Sequence, residues 1–221
     1  NTKLKVLRTC LYIRIIKIFN NKEMKIVFAT NNPNKLKEIQ SLVPKEIEII
    51  SLNEIGCNED IPETGDTLEA NAFQKAHYIK DNFNYDCFAD DTGLEIDELN
   101  GDPGVYSARY AGPERNANAN MNKVLNELKG KKNRKAQFRT AIALILKGEE
   151  HLFEGKVEGY ISKDKQGNEG FGYDPIFIPE NNIRSFAQMS MQEKGAISHR
   201  GRVVKKLVAY LNNLSKPKSK Q

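Results

Sequence analysis

From Phe88 to Gly112 the chain reads FADDTGLEIDELNGDPGVYSARYAG. Asp90 and Asp91 are adjacent carboxylates at the end of a short apolar approach. Like charges that close repel unless a cation or hydrogen-bond donors hold them. A bound divalent metal is such a cation, and a metal held by a carboxylate implies phosphate chemistry. On a strand, successive residues face opposite sides. One acid can therefore face a cleft while backbone N–H groups or a cation hold the other. Thr92-Gly93 predicts a turn after the pair, and Asp102-Pro103-Gly104 a second one that aims Arg109 at the cleft wall.

Three other constellations carry chemistry. Thr30-Asn31-Asn32-Pro33-Asn34-Lys35 lies where a strand gives way to a helix. Free N–H groups and the helix dipole there suit a phosphate, and Lys35 adds a charge. The GxxxxGK[ST] loop is absent, and an ordinary capped turn fits the same residues. Gly170-Phe171-Gly172-Tyr173-Asp174-Pro175 lets an aromatic ring approach a flat ligand. Phe171 or Tyr173 can stack on a base, and Asp174 can accept from a ring N–H; a bulge with core aromatics is the plainer reading. Lys194 and Ser198-His199-Arg200 cluster donors suited to keto oxygens or phosphates. No glycine-flanked nucleophile elbow accompanies Ser198 and His199. Glu63, in a polar loop, can join Asp91 around magnesium, which needs few carboxylates.

The elements that must position these residues alternate. Strands are predicted over Ile26–Thr30, Glu46–Leu52, Gln137–Leu146, Leu152–Ser162 and Pro175–Ile178. Helices are predicted over Lys35–Leu42, from Asp66 with Glu69 as a capping box, over Asn118–Leu128, and after Ser198. Leu68, Ala72, Phe73, Ala76 and Ile79 form the second helix's apolar stripe, and Val203, Val204, Leu207, Val208 and Leu211 the last one's. Lys147-Gly148-Glu149-Glu150 suits a hairpin, and Ser190 with Glu193 a further capping box. Mixed this way, the elements predict one α/β unit, with two lobes and a cleft.

Composition narrows the partners. The chain has 221 residues and a formal charge of +5, from 34 Lys and Arg against 29 Asp and Glu. Residues 1–23 hold six of the basic residues and one acid, which leaves 28 of each sign in the remainder. The body therefore has no bulk field to steer it onto nucleic acid. The apolar stretch Leu11–Phe19 is interrupted by Arg14 and Lys17 and is too short to span a bilayer. We read residues 1–23 as a leader outside the folded unit, 24–214 as the domain and 215–221 as a basic tail. Three cysteines without CxxC spacing, Cys10, Cys57 and Cys87, argue for a reducing, cytoplasmic compartment. Neither a nucleic-acid nor a membrane partner is expected.

In this order the motifs ATNNPNKLKEI, the Glu63 loop, EANAFQKA, the Asp90-Asp91 segment, GFGYDPIF and EKGAISHRG resemble the inosine triphosphate pyrophosphatase (Ham1-type) family. The resemblance spans Met24 to about Leu214. It implies a long mixed β-sheet with two α/β lobes flanking a central nucleotide-binding cleft, usually in a homodimer. It implies magnesium-dependent hydrolysis of ITP, dITP and XTP to the nucleoside monophosphate and pyrophosphate, by water attacking the α-phosphorus. Thr30, Asn31, Asn32, Pro33, Asn34 and Lys35 fall on the family's triphosphate loop, and Lys75 and Thr92 on further substrate contacts. Glu63 and Asp91 fall on the metal ligands, and Asp91 also on the proton acceptor. Phe171, Gly172, Tyr173, Asp174, Lys194, His199 and Arg200 fall on the set around the base. A Maf-type nucleotide pyrophosphatase and a catalytically silent nucleotide-binding module are the competing expectations.

Overall fold

The apolar run Ile26-Val27-Phe28 becomes strand β1 (Met24–Phe28), paired in parallel with β2 (Ile47–Ile50) on one side and β3 (Cys87–Ile96) on the other. Helix α1 (Pro33–Leu42) crosses between β1 and β2, and α2 (Leu68–Phe83) leads into β3. The chain continues through β4 (Pro103–Gly104), α3 (Ala117–Glu127), β5 (Lys135–Leu146), β6 (Glu149–Ile161), β7 (Phe177–Pro179), α4 (Met191–Ile197) and α5 (His199–Leu214). This computed structural model describes residues 24–214; the leader and basic-tail expectations lie outside the described residues.

The seven strands form one mixed sheet in the order β2-β1-β3-β5-β6-β7, with β4 paired to β3. The β3–β5, β5–β6 and β6–β7 pairs are antiparallel. The alternation of strand side chains divides the core. On one face of the sheet Ala89, Ala141 and Ala143 pack with α2 residues Ala72 and Ala76. On the other, Phe88, Ile142 and Leu144 pack with Ile39 of α1 and Val203 and Leu207 of α5. Farther along, Leu94, Ile96 and Phe138 join Met121 and Val124 of α3 with Phe177 and Phe186. The long strands β3, β5 and β6 thus run through two lobes, and the cleft lies between them. Among the described residues no helix is long and apolar enough to cross a membrane.

Four local expectations are corrected. Thr92-Gly93 is not a turn: β3 runs straight through and pairs Thr92 with Thr140 and Gly93 with Arg139. Glycine is needed there for space, because a Cβ at Gly93 would sit 2.8 Å from the Gly104 carbonyl oxygen of β4. Thr67, not Asp66, caps α2; its Oγ1 accepts from the Ala70 N–H at 3.1 Å, and Glu69 pairs with Arg139. Asp174–Ile176 is a 3-10 turn, so the strand begins at Phe177. The hairpin turn is Lys147-Gly148 alone, both with left-handed φ (53° and 83°), which matches the strand twist. The Ser190/Glu193 capping box is present, and Ser198 Oγ accepts from the Gly201 N–H at 3.1 Å at the start of α5.

Candidate active site

Every residue assigned to substrate, metal or catalysis, though not Asp90, Arg109 or Ser198, lines one cavity of about 510 Å³. This is ample for a nucleotide-sized ligand. At one end, the chain leaves β1 and turns into α1. Thr30 Oγ1 accepts from the Asn32 N–H at 3.2 Å. Asn32 Oδ1 then accepts from the Asn34 and Lys35 N–H groups at 2.9 and 3.2 Å. Two donors expected to be free for a phosphate are therefore held by the cap itself, and Pro33 has none to offer. Lys35 reaches back to Asp90 Oδ1 at 3.0 Å.

Asp90 and Asp91 face opposite sides of the sheet, as strand geometry requires. Asp90 pairs in register with Ile142 and shares its face, where α1 and α5 pack. There it is fully buried and holds Lys35 and the Arg200 guanidinium, the latter at 3.0 Å. Burial alone would raise the Asp90 carboxyl, but Lys35, Arg200 and Lys75 reverse this and hold it well below the usual carboxylate range. Asp91 pairs with Ala141 and faces α2. Its Oδ2 accepts from Asn71 at 3.0 Å and its Oδ1 from the Thr92 N–H at 2.9 Å. Burial raises its pKa, Glu63 adds to the rise, and Lys75 and Lys35 offset it only in part. Two neighbouring acids pushed in opposite directions divide naturally into a fixed anion and a proton acceptor.

Lys75 stands among the acids. It donates to Glu63 and, at 2.7 Å, to the Asp90 carbonyl, and lies 3.9 Å from Asp91 Oδ1. Burial works to lower its pKa, but Asp91, Glu63 and Asp90 together keep it raised. Glu63 and Asp91 thus already flank a cation. Among the described residues no group of three or more His, Cys, Asp or Glu gathers to cage a metal. A magnesium ion that keeps waters and substrate phosphates asks for one or two carboxylates, and this pair supplies them. Arg109 reaches the Glu63 carbonyl at 3.4 Å but is not among the residues that line the cavity.

The other end is a closed ionic network. Lys194 is buried between Glu38 and Asp174, at 2.5 and 2.7 Å. Arg200 is 2% exposed, and each of its three nitrogens donates within the protein, to Glu38, Asp90 and Thr92. Asp174 also accepts from the Phe171 N–H at 2.8 Å. Gly170 makes room for this, since a Cβ there would meet Asp174 Oδ2 at 2.1 Å. The bonds from Lys194 and Phe171 both fall on Asp174 Oδ2, and the residue lines the cavity, so Oδ1 is left as an acceptor for a ring N–H. Tyr173 is buried with its hydroxyl on the Ser107 carbonyl, 2.8 Å away, which leaves half-buried Phe171 as the ring that can stack. Phe171 itself lies over Lys194 and Arg200, at 4.8 and 5.6 Å from its centroid. His199 stacks on Phe138 at 4.5 Å, and its buried Nδ1 has no hydrogen-bond partner among the described residues. Burial, then Arg200 and Lys194, hold its pKa well below the ordinary value, so the ring is neutral. A buried polar atom left unpaired calls for an explanation.

The Ham1 family model matches residues 26–210. The chain belongs to the Ham1 family. It is 56% identical over 190 residues to the dITP/XTP pyrophosphatase of Flavobacterium psychrophilum, covering 86% of this chain and 100% of that one. It is 49% identical over 185 residues to the dITP/XTP pyrophosphatase of Bacillus subtilis, covering 82% and 93%. The Staphylococcus aureus Ham1 protein superposes with a TM-score of 0.78 at 40% identity, over 86% of this chain and 99% of that one. A HAM1 protein from Coxiella burnetii gives 0.79 at 38% identity, with the same coverage. The mixed sheet with its two lobes is thus the Ham1 architecture.

Two residues of this Ham1 chain were missed by sequence reasoning. Glu38 joins Lys194 to Arg200, and Asn71 holds Asp91. A signal existed for each. Asn71 and Lys75 interrupt the buried stripe Leu68, Ala72, Ala76, Ile79 at helical spacing. Glu38 is buried beside Ile39 on α1. A polar residue on an apolar stripe either has a buried partner or is a mistake.

Proposed function

We propose that this Ham1-family chain hydrolyses non-standard purine nucleoside triphosphates (ITP, dITP and XTP) to the monophosphate and pyrophosphate. One observation carries the reading. A single cavity joins an acid pair around a cation to a buried, neutral His199 with an unpaired ring nitrogen. The first suits phosphate and the second suits a purine edge. The names of the relatives agree with this reading.

In the reaction, the Thr30–Lys35 loop, Lys35 and Lys75 bind the triphosphate. Asp91, with its raised pKa, takes the proton of the water that attacks the α-phosphorus in line. Pyrophosphate leaves, and Lys35 and Lys75 hold the charge it carries. Glu63 and Asp91 would hold Mg2+, which supplies neutralisation of the phosphate oxygens.

At the base, donors of the His199-Arg200 segment pair with the 6-keto oxygen of inosine or xanthine. The 6-amino group of adenine offers no acceptor there. Sites built on such hydrogen bonds reject the wrong group by up to about 10⁴–10⁵-fold. Phe171 covers the base, and Arg200 fixes Asp90 and Thr92. In this reading the enzyme works as a homodimer on the cytoplasmic nucleotide pool, and sedimentation at micromolar concentration tests the dimer.

The deciding experiment is hydrolysis of ITP in ¹⁸O-water. Pyrophosphate with the label in IMP is expected. Orthophosphate, or label in pyrophosphate, would sink the α-phosphorus route, and equal turnover of ATP and ITP would sink the base discrimination. Tight ITP binding without turnover would favour the silent module instead.

A further inference from the structure

Asn71 has no part in the reaction as described, yet it touches both halves of the acid site. It lies on α2 and is 1% exposed. Its Nδ2 donates to Asp91 Oδ2 at 3.0 Å, and its Oδ1 accepts from the Gly65 N–H at 2.7 Å. Gly65 is two residues beyond Glu63, in the same loop. The direction of the amide is dictated by its partners: an ionised carboxylate can only accept and a backbone N–H can only donate. The loop also meets α2 closely at this point. A Cβ on Gly65 would come within 2.7 Å of Ala70 Cβ and 3.0 Å of Asn71 Oδ1.

The consequence falls on Asp91. With Oδ2 tied to Asn71, its other oxygen is the one that lies toward Lys75, 3.9 Å away. Lys75 is four residues on, so one face of α2 presents both the amide and the ammonium. The same amide anchors the loop from which Glu63 reaches Lys75.

We infer that Asn71 is a positioning residue that locks the Glu63 loop to Asp91 and so sets the grip of the carboxylate pair on a divalent cation. This rests on reading Glu63 and Asp91 as that pair. Groups that orient metal ligands from behind commonly change metal affinity or activity about 10–100-fold when removed.

The test uses the full chain with Asn71→Leu, which can neither donate nor accept, and Asn71→Asp, which keeps the acceptor for Gly65 but loses the donor to Asp91. For Asn71→Leu, kcat on ITP should fall about 10–100-fold with KM moving less than twofold. Its half-saturating Mg2+ should rise about tenfold, and Mn2+ binding measured by electron paramagnetic resonance, without turnover, should weaken in step. Asn71→Asp should lose at least about tenfold in kcat with KM again held. Metal midpoints and kcat within about twofold of wild type in both variants would overturn the inference. So would equal losses in kcat, KM and melting temperature, which mark a packing role. If wild type hydrolyses ITP fully without a divalent cation, the acid-pair reading itself fails and takes this one with it.

Discussion

The two ends of the cleft are built on opposite principles. At the base end Glu38, Lys194, Asp174 and Arg200 are buried and joined in one ionic network along the cavity wall. At the acid end Glu63 and Asp91 share a single lysine, and the Glu63 side chain stays 22% exposed. Burying ionised groups costs several kcal/mol each, and close opposite charges return that only when the geometry is complete. The base end is densely paired and holds a shape. The acid end is more open and, in the proposed function, takes on a metal and phosphates. In the proposed function, rigidity thus sits where the substrate is recognised, and the more open carboxylates sit where it is cut.

Breaking each end should give a different signature. Asp91→Asn should lower kcat about 10²–10⁴-fold, as removal of a proton acceptor does. Stability should not fall with it. The folded pKa of Asp91 is raised, so its charge is a burden to the fold at neutral pH and the amide relieves it. Activity within about twofold of wild type would remove Asp91 from the role.

Glu38→Ala should do the reverse and cost the fold about 3–5 kcal/mol, because it leaves buried cations short of a partner. Urea denaturation measures this, and a loss under about 1 kcal/mol would break the contrast between the two ends.

A smaller effect should come from His199 as pH falls. Its folded pKa lies below its ordinary value near 6.5, so the unfolded chain binds the proton first. Stability is therefore whole above about pH 6.5 and falls below it by at most about 1.4 kcal/mol per pH unit. Melting curves at two pH values should show this slope in wild type and a flatter one in His199→Asn. Equal slopes would mean that the imidazole is charged in the fold.

The smallest effect is expected at the cleft rim. Arg115 and Asp60 lie 3.5 Å apart and are largely in solvent, so Asp60→Ala should change stability by less than about 1 kcal/mol. A larger loss would show that the rim is as tightly tied as the base end.

The alternation of strands and helices was legible from Met24 onward, because period-2 and helical spacing of apolar residues are local properties. So was the division of Asp90 from Asp91, which follows from strand geometry alone. The turn expected at Thr92-Gly93 was wrong because the reason for Gly93 lies on another strand: β4 passes too close for a side chain. Glu38 was passed over for a related reason. Its partners Lys194 and Arg200 are 156 and 162 residues away, a separation that no local pattern reports.

By itself, then, the sequence determined the elements, the motif set and the chemical types gathered for phosphate and purine. Those depend on neighbours in the chain. Only the tertiary structure decided how each polar group is spent. It gave Asn32 to the helix cap, Asp174 to Lys194 and Arg200 to Asp90 and Glu38. It left the Nδ1 of His199 without a partner among the described residues. A hydrogen bond is settled by which donor and acceptor the fold brings within about 3 Å, and that is a property of packing rather than of order along the chain.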